Sequence, residues 1–138
     1  MNLLSPRGFL LYGGIILLVL GVAGMTVLGP TSANSLLGDF NWLDNTENMA
    51  HLLLGVVAIA AYYLLKDANL TKWLVILVGV VAAVATVLGF MNMAAAAPNV
   101  GVTNLELSDD VLHLVVAVWA FAAAFMGSSS TAAPTTTA

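Results

Sequence analysis

The chain has 138 residues, of which 61% are hydrophobic and 7% are charged, and its mean hydropathy is +1.02. Soluble domains carry about 25% charged residues, so this chain has too little polar surface for a water-soluble globule and its main solvent is lipid. A net charge of −4 with three basic residues excludes a nucleic-acid-binding surface, and the absence of cysteine excludes disulfides, thiolate zinc sites and a thiol nucleophile.

Four apolar stretches are long enough to cross a membrane, which takes about 20 helical residues. In chain order they cover residues 9–28, 48–65, 73–91 and 110–126. Gly29-Pro30 ends the first stretch, a polar turn at 66–69 separates the second from the third, and Pro98 follows the third. We therefore predict an all-α membrane protein with four transmembrane helices.

A nine-residue motif occurs twice, at 46–54 and 108–116. Each copy has a hydroxyl residue, an acid, an acid or amide, two apolar residues and a histidine, followed by an apolar run. The two histidines, His51 and His113, lie 62 residues apart and are the only two in the chain. Their equivalent positions indicate a shared geometric role, which makes the two motifs the candidate functional site.

The duplication predicts the topology of the bundle. Residues 26–29 and 86–89 both read Thr-Val-Leu-Gly, which extends the similarity to the first and third spans. Each repeat then holds two spans, so both copies have the same orientation in the membrane. We predict two parallel-oriented helical-hairpin repeats, at about 9–65 and 73–127.

The domain boundaries follow from composition. A membrane domain over residues 1–127 is followed by a Ser/Thr/Ala/Pro-rich tail of low complexity at 128–138. A cleaved signal peptide is an alternative interpretation of Arg7 and the first apolar run, but that run exceeds the usual apolar region of about 7–15 residues. We therefore favour a retained first span.

Basic residues predict the orientation. Arg7, Lys66 and Lys72 are separated by an even number of crossings, so all three lie on one side, which the positive-inside rule makes cytoplasmic. Both termini are then predicted to be cytoplasmic. Most of the acids fall on the opposite side: Asp39, Asp44, Glu47, Glu106, Asp109 and Asp110.

The first turns of the second and fourth spans carry the candidate site. Thr46 and Ser108 are predicted helix N-caps. In each copy an acid precedes the histidine by four residues and a second polar residue precedes it by three, which places all three on one helix face. The candidate ligands are His51 and His113, and the side chains predicted to support them are Glu47, Asn48, Asp109 and Asp110.

These residues also carry a family resemblance. The chain resembles a family of small bacterial four-helix membrane proteins, domain of unknown function 4383, over roughly residues 9–127. That pattern has Gly-x-Phe in a loop, then a polar pair ending in Asn, two apolar residues and His-Leu, all duplicated. The matching residues here are 38–40, 47–52 and Gly55, then 104–107 and 109–114. Asp110 stands in the second copy where Asn is usual, and Ala117 where glycine is usual. The resemblance implies the four-span fold. It does not imply any particular activity.

Four roles are considered for the histidine motifs. The leading interpretation is structural, in a non-enzymatic accessory or scaffolding subunit of a larger membrane assembly or homo-oligomer. The alternative is a cofactor-binding protein: His51 and His113 can supply axial ligands to haem or chlorophyll, or bind a divalent metal together with Glu47 and Asp109. A hydrolase lacks an evident nucleophile, and a transporter is expected to carry ionisable groups deeper in its spans.

Overall fold

The structure is a computed structural model that describes residues 2–95 and 100–127. These residues form four α-helices, and the described part of the chain contains no β-strand. The helices are α1 (Pro6–Thr26), α2 (Asn45–Leu64), α3 (Ala68–Asn92) and α4 (Leu107–Met126). All four are long and apolar enough to cross a membrane, which confirms the four-span prediction. Pro98 and the predicted tail at 128–138 lie outside the described residues.

The helices are arranged as two hairpins. α1 packs along α2 and α3 packs along α4, while the first hairpin contacts the second through α1. The buried core between them contains Phe9, Leu10, Val75, Ala120, Ala123 and Ala124. Two connections lie at the same end of the bundle: loop A (27–44) joins α1 to α2, and loop B, described at 93–95 and 100–106, joins α3 to α4. The parallel orientation of two repeats stays a prediction.

Small residues allow the helices of each hairpin to approach closely. A Cβ atom added to Gly14 would lie 3.1 Å from the Gly55 carbonyl oxygen, and one added to Gly55 would lie 2.9 Å from the Gly14 carbonyl oxygen. In the second hairpin, a Cβ atom at Gly79 would lie 3.1 Å from the Ala120 side chain. Close packing of this kind stabilises helix pairs in lipid, where the hydrophobic effect does not drive association. These small residues therefore face neighbouring helices.

The outward faces of the helices are strongly apolar. Large hydrophobic side chains are exposed along every helix, among them Val19, Leu53, Leu77 and Val118. A water-soluble monomer rarely exposes such continuous apolar surface. Together with the length and composition of the helices, this surface identifies the molecule as a multi-pass membrane-type bundle.

The three basic residues share one end of the bundle, which we call the basic end. The Arg7 guanidinium donates hydrogen bonds to the carbonyl oxygens of Leu65 at 2.8 Å and Tyr62 at 2.7 Å. It thereby satisfies acceptors left free at the C-terminus of α2. Lys66 follows α2 and Lys72 lies in the first turns of α3, with its ammonium 5.1 Å from the centre of the Phe125 ring.

The structure corrects the predicted helix starts. α2 and α4 each begin three residues before the predicted span, and their N-caps are Asp44 and Glu106 rather than Thr46 and Ser108. The reason is that acidic side chains two residues earlier form the capping interactions. Each histidine is therefore seven residues beyond its N-cap, about 10 Å along the helix at 1.5 Å per residue, and not the five residues that the sequence indicated.

The Thr-Val-Leu-Gly similarity does not mark equivalent positions. Thr26 is the exposed last residue of α1 and Gly29 lies beyond that helix. Thr86 and Gly89, by contrast, are buried inside α3. The difference arises because α3 continues for several residues past this segment, whereas α1 ends within it.

Adjacent glycines provide a test of the close packing in the first hairpin. Gly14→Ala places a methyl group 2.8 Å from the Ile59 side chain, and overpacking of this kind costs about 1–3 kcal/mol. Gly13→Ala is the matched control, because its nearest neighbour in Trp119 would lie 3.8 Å away. We expect Gly14→Ala to lower the unfolding temperature in detergent relative to Gly13→Ala. Equal temperatures would show that this contact is not tight.

Candidate functional site at the acidic end

The acidic end of the bundle, opposite the basic end, is built on the capped N-termini of α2 and α4. Asp44 Oδ1 accepts a hydrogen bond from the Glu47 backbone N–H at 3.0 Å, and Glu47 Oε2 accepts one from the Asp44 N–H at 3.1 Å. At α4, Asp109 Oδ2 accepts from the Glu106 N–H at 3.1 Å. Both are capping boxes, which satisfy backbone donors that have no acceptor within the helix.

Each loop is tied to the second helix of the other hairpin. From loop B, the Thr103 hydroxyl and the Asn104 backbone N–H both donate to Asp44 Oδ2, at 2.7 and 3.0 Å. From loop A, Asn41 Nδ2 donates to Ser108 Oγ at 2.9 Å and to Asp109 Oδ1 at 3.1 Å. The same capping acids therefore connect the two hairpins at this end.

Asn48 and Asp110 occupy matching places one turn deeper, and both are fully buried. Asn48 Nδ2 donates to the Leu43 carbonyl oxygen at 3.0 Å, whereas neither carboxyl oxygen of Asp110 has a hydrogen-bond partner. Each side chain lies against a glycine of the neighbouring helix. A Cβ atom at Gly24 would collide with Asn48 Oδ1, and one at Gly89 would collide with Asp110 Oδ1.

Sequence reasoning missed the role of these two glycines. Gly24 was not distinguished from the other small residues of α1, and Gly89 was noted only as part of the Thr-Val-Leu-Gly similarity. A usable signal was that each lies near the acidic end of the helix paired with Asn48 or Asp110. A polar side chain at a helix interface needs space on the facing helix, and glycine provides it.

The histidines lie below the capping acids, and both are partly buried. His113 Nδ1 lies 2.8 Å from the Asp109 carbonyl oxygen. A carbonyl only accepts hydrogen bonds, so Nδ1 carries a proton, and in the neutral imidazole Nε2 is then an acceptor. The Nδ1 atom of His51 is buried without a hydrogen-bond partner. The two imidazoles are close enough to interact electrostatically.

Three of the four side chains predicted to support the histidines are engaged elsewhere. Glu47 and Asp109 accept hydrogen bonds from the N-cap backbone, Asn48 donates to Leu43, and the fourth, Asp110, has no hydrogen-bond partner. The reason is that a helix start in lipid leaves backbone donors unsatisfied, and these side chains are the nearest acceptors. The structure thus gathers all six candidate residues at one end of the bundle without a carboxyl–imidazole hydrogen bond among the contacts that it describes.

The electrostatics of the site are dominated by like charges. The carboxyl groups of Asp44, Glu47, Glu106 and Asp109 interact with one another across the two hairpins. All three basic residues of the chain lie at the basic end. Burial raises the pKa of Glu106, which lies just outside α4, to about 8, and its contacts with Asp109 and the charge of Asp44 add to this effect.

The arrangement of histidine and acidic side chains bears on whether the protein binds a metal or a cofactor. Within residues 2–95 and 100–127, no group of three or more histidine or acidic side chains is placed to hold a metal ion. Two shallow grooves on the bundle surface are lined almost wholly by apolar side chains of α1 and of α3 with Phe121, away from both histidines. The arrangement is chemically suited to accepting hydrogen bonds and protons.

Substitutions at Asn48 and Asp110, the two deeply buried polar residues, test how well the fold accommodates each side chain. We expect Asp110→Asn to stabilise the fold at neutral pH, because an amide removes a buried carboxyl that has no donor. We expect Asn48→Asp to destabilise it, because the bond to the Leu43 carbonyl is lost and an unsatisfied buried group costs about 1–3 kcal/mol. Thermal unfolding of both variants in the same detergent measures the difference. Destabilisation by Asp110→Asn would show that the carboxyl has a specific partner.

Comparison with known protein families matches residues 7–126, from the first turn of α1 to the end of α4. The matched family is described as Domain of unknown function (DUF4383). No curated protein and no solved structure matches the chain. The matched segment includes both hairpins and both histidine motifs, and it covers well over half of the sequence. The chain therefore belongs to the DUF4383 family.

Proposed function

We propose that this protein is a small, non-enzymatic accessory or scaffolding subunit, acting in a larger membrane assembly or as a homo-oligomer. The observation that supports this proposal is the set of contacts that the polar side chains of the duplicated motif make. Its polar side chains Glu47, Asn48 and Asp109 are engaged in helix capping and in contacts between the loops and helices. Residues engaged in this way build a rigid bundle and are not directed at a substrate.

The surface of the bundle gives further support. Its exposed helix faces are apolar and continuous, and such faces contact lipid or the helices of another subunit equally well. The loops at the acidic end add exposed apolar side chains of their own, including Leu36, Phe40 and Val102. A subunit that offers apolar surface on its helices and loops fits a role in assembly.

A second candidate function is cofactor binding by His51 and His113. The observation that favours it is the hydrogen bond from His113 Nδ1 to the Asp109 carbonyl. A backbone carbonyl commonly orients a metal-ligating histidine in this way and leaves Nε2 free for the metal. The buried Nδ1 atom of His51 has no competing partner. Haem, chlorophyll or a divalent metal are the groups such a pair can ligate.

An absorption spectrum and a metal analysis separate these two functions. The full chain is purified gently from its own membranes as wild type and as His51→Ala/His113→Ala, with Asn69→Ala at the basic end as the matched control. The scaffold proposal expects no visible band and no stoichiometric metal in any of the three. A Soret or chlorophyll band, or bound metal, that is lost only in the double variant would establish the histidines as ligands.

The assembly itself is tested by mass measurement of the protein in native lipid discs. We expect a mass well above 14.2 kDa, as either several copies of this chain or a defined complex. A single chain without partners, in both native discs and mild detergent, would contradict the scaffold proposal whatever its colour. This measurement does not depend on the spectrum, so the two outcomes are separable.

The orientation in this proposal has both termini in the cytoplasm and the acidic end outside. Because the chain has no native cysteine, single-cysteine variants report exposure cleanly. A membrane-impermeant maleimide added to intact cells is expected to label Ala33→Cys in loop A and not Asn69→Cys near the basic end. Labelling of only the second variant would reverse the orientation.

A further inference from the structure

Four carboxyl groups meet at the acidic end from two separate hairpins. Asp44 and Glu47 belong to the start of α2, and Glu106 and Asp109 belong to the start of α4. Glu47 is only 6% exposed and Asp109 only 3%. Two oxygens of this cluster, Glu47 Oε1 and Glu106 Oε2, are buried and have no hydrogen-bond partner.

The available donors are divided unevenly among these acids. Asp44 accepts from the backbone of Glu47 and from Thr103 and Asn104. Asp109 accepts from Glu106 N and Asn41 Nδ2. Nothing in the described structure donates to the remaining oxygens of Glu47 and Glu106. A buried carboxylate without a donor or a cation is strongly disfavoured, and it takes up a proton instead.

The packing indicates that the missing partner is a proton. The basic side chains lie at the far end of the bundle, and the described residues offer no three-ligand metal site at this end. A proton requires no cavity and converts an unpaired acceptor into a donor, so it can be shared between neighbouring carboxyl groups. Glu47 interacts electrostatically with Asp109 and Glu106 of the other hairpin.

We propose that Asp44, Glu47, Glu106 and Asp109 form a proton-binding latch that holds the two hairpins together at the acidic end. With protons bound on Glu47 and Glu106, the repulsion between the two hairpins is reduced and the loop–helix hydrogen bonds are kept. When the protons leave, like charges face each other across the hairpin boundary, and loops A and B move apart. The latch is a property of this chain alone and operates whether or not the scaffold proposal holds.

The elements packed around the latch differ in the titratable and charged groups that they carry. α2 contributes His51 below the acids, and α4 contributes Asp110 and His113. Loop A carries the exposed Asp39, and its contact with the latch is the neutral Asn41. Loop B contributes the neutral Thr103 and Asn104. α1 and α3 carry no charged residue near this end, since Arg7 and Lys72 lie in their first turns at the basic end.

The pKa of Glu106 gives the pH range and the sign. Its pKa in the fold is raised from 4.5 to about 8, first by burial and then by its contacts with Asp109. Between these values the folded state holds a proton that the unfolded chain has lost. The stability contributed by Glu106 is therefore complete below about pH 4.5 and is lost as the pH rises through about 8.

Spin-label distances across the two loops test the latch. The full chain in lipid discs carries Ala33→Cys in loop A and Val102→Cys in loop B, two exposed positions in a protein without native cysteine. We expect one narrow distance distribution at about pH 5 and a longer or broader one at about pH 9.5, with a midpoint near pH 8. In Glu47→Gln/Glu106→Gln the distribution should stay narrow throughout, because no further charge develops at positions 47 and 106 as the pH rises. Asp39→Asn, an exposed acid outside the latch, is the matched control and should behave as wild type.

Two results would overturn the proposal. One is a wild-type distance that does not change with pH. The other is a transition that is unaltered when Glu106→Gln is introduced alone, since the latch requires it to move by about one pH unit or to disappear. If the double variant does not fold, the wild type and Glu106→Gln decide the matter. Thermal unfolding of these two proteins between pH 5 and 9.5 provides the second measurement: the wild type should lose stability as pH rises, and Glu106→Gln should lose less.

Discussion

A helix that starts near the membrane surface leaves backbone N–H groups that neither lipid nor its own carbonyls can satisfy. In this bundle that constraint is met at α2 and α4 by acids, through the capping boxes of Asp44 with Glu47 and of Glu106 with Asp109. The positions of the helix starts, the depth of the two histidines and the anchoring of both loops all follow from these caps. Two of these carboxyl groups, those of Asp44 and Asp109, also accept the hydrogen bonds that join the hairpins, so helix capping and bundle assembly share these side chains.

Close helix approach is the second requirement, and glycine provides it in two ways. Gly14 and Gly55 bring α1 and α2 together backbone to backbone, which compensates for the absence of a hydrophobic driving force within lipid. Nearer the acidic end, Gly24 and Gly89 instead leave room for Asn48 and Asp110 on the facing helices. Each hairpin therefore has an apolar contact in its middle and a polar contact close to its capped end.

The bundle separates charge by end. Arg7 closes the C-terminus of α2 at the basic end through two carbonyl oxygens, while the acids cluster at the other end without a basic partner. This separation concentrates six of the seven acids and both histidines at one end of the bundle. A scaffold that is rigid through its apolar middle and adjustable only at a protonated end combines the proposed assembly role with the proposed latch.

The sequence by itself determined the four spans, the shared end of the three basic residues and the grouping of the histidine motifs, because length, hydropathy and charge act along the chain. Only the tertiary structure decided the rest. Asp44 and Glu106 displaced Thr46 and Ser108 as N-caps because their side chains form capping boxes with Glu47 and Asp109, and Asp44 also accepts hydrogen bonds from loop B. Likewise, Gly24 and Gly89 acquire their meaning from Asn48 and Asp110 on the facing helices. Contacts between residues distant in the chain depend on how the hairpins meet, and no local pattern records that geometry.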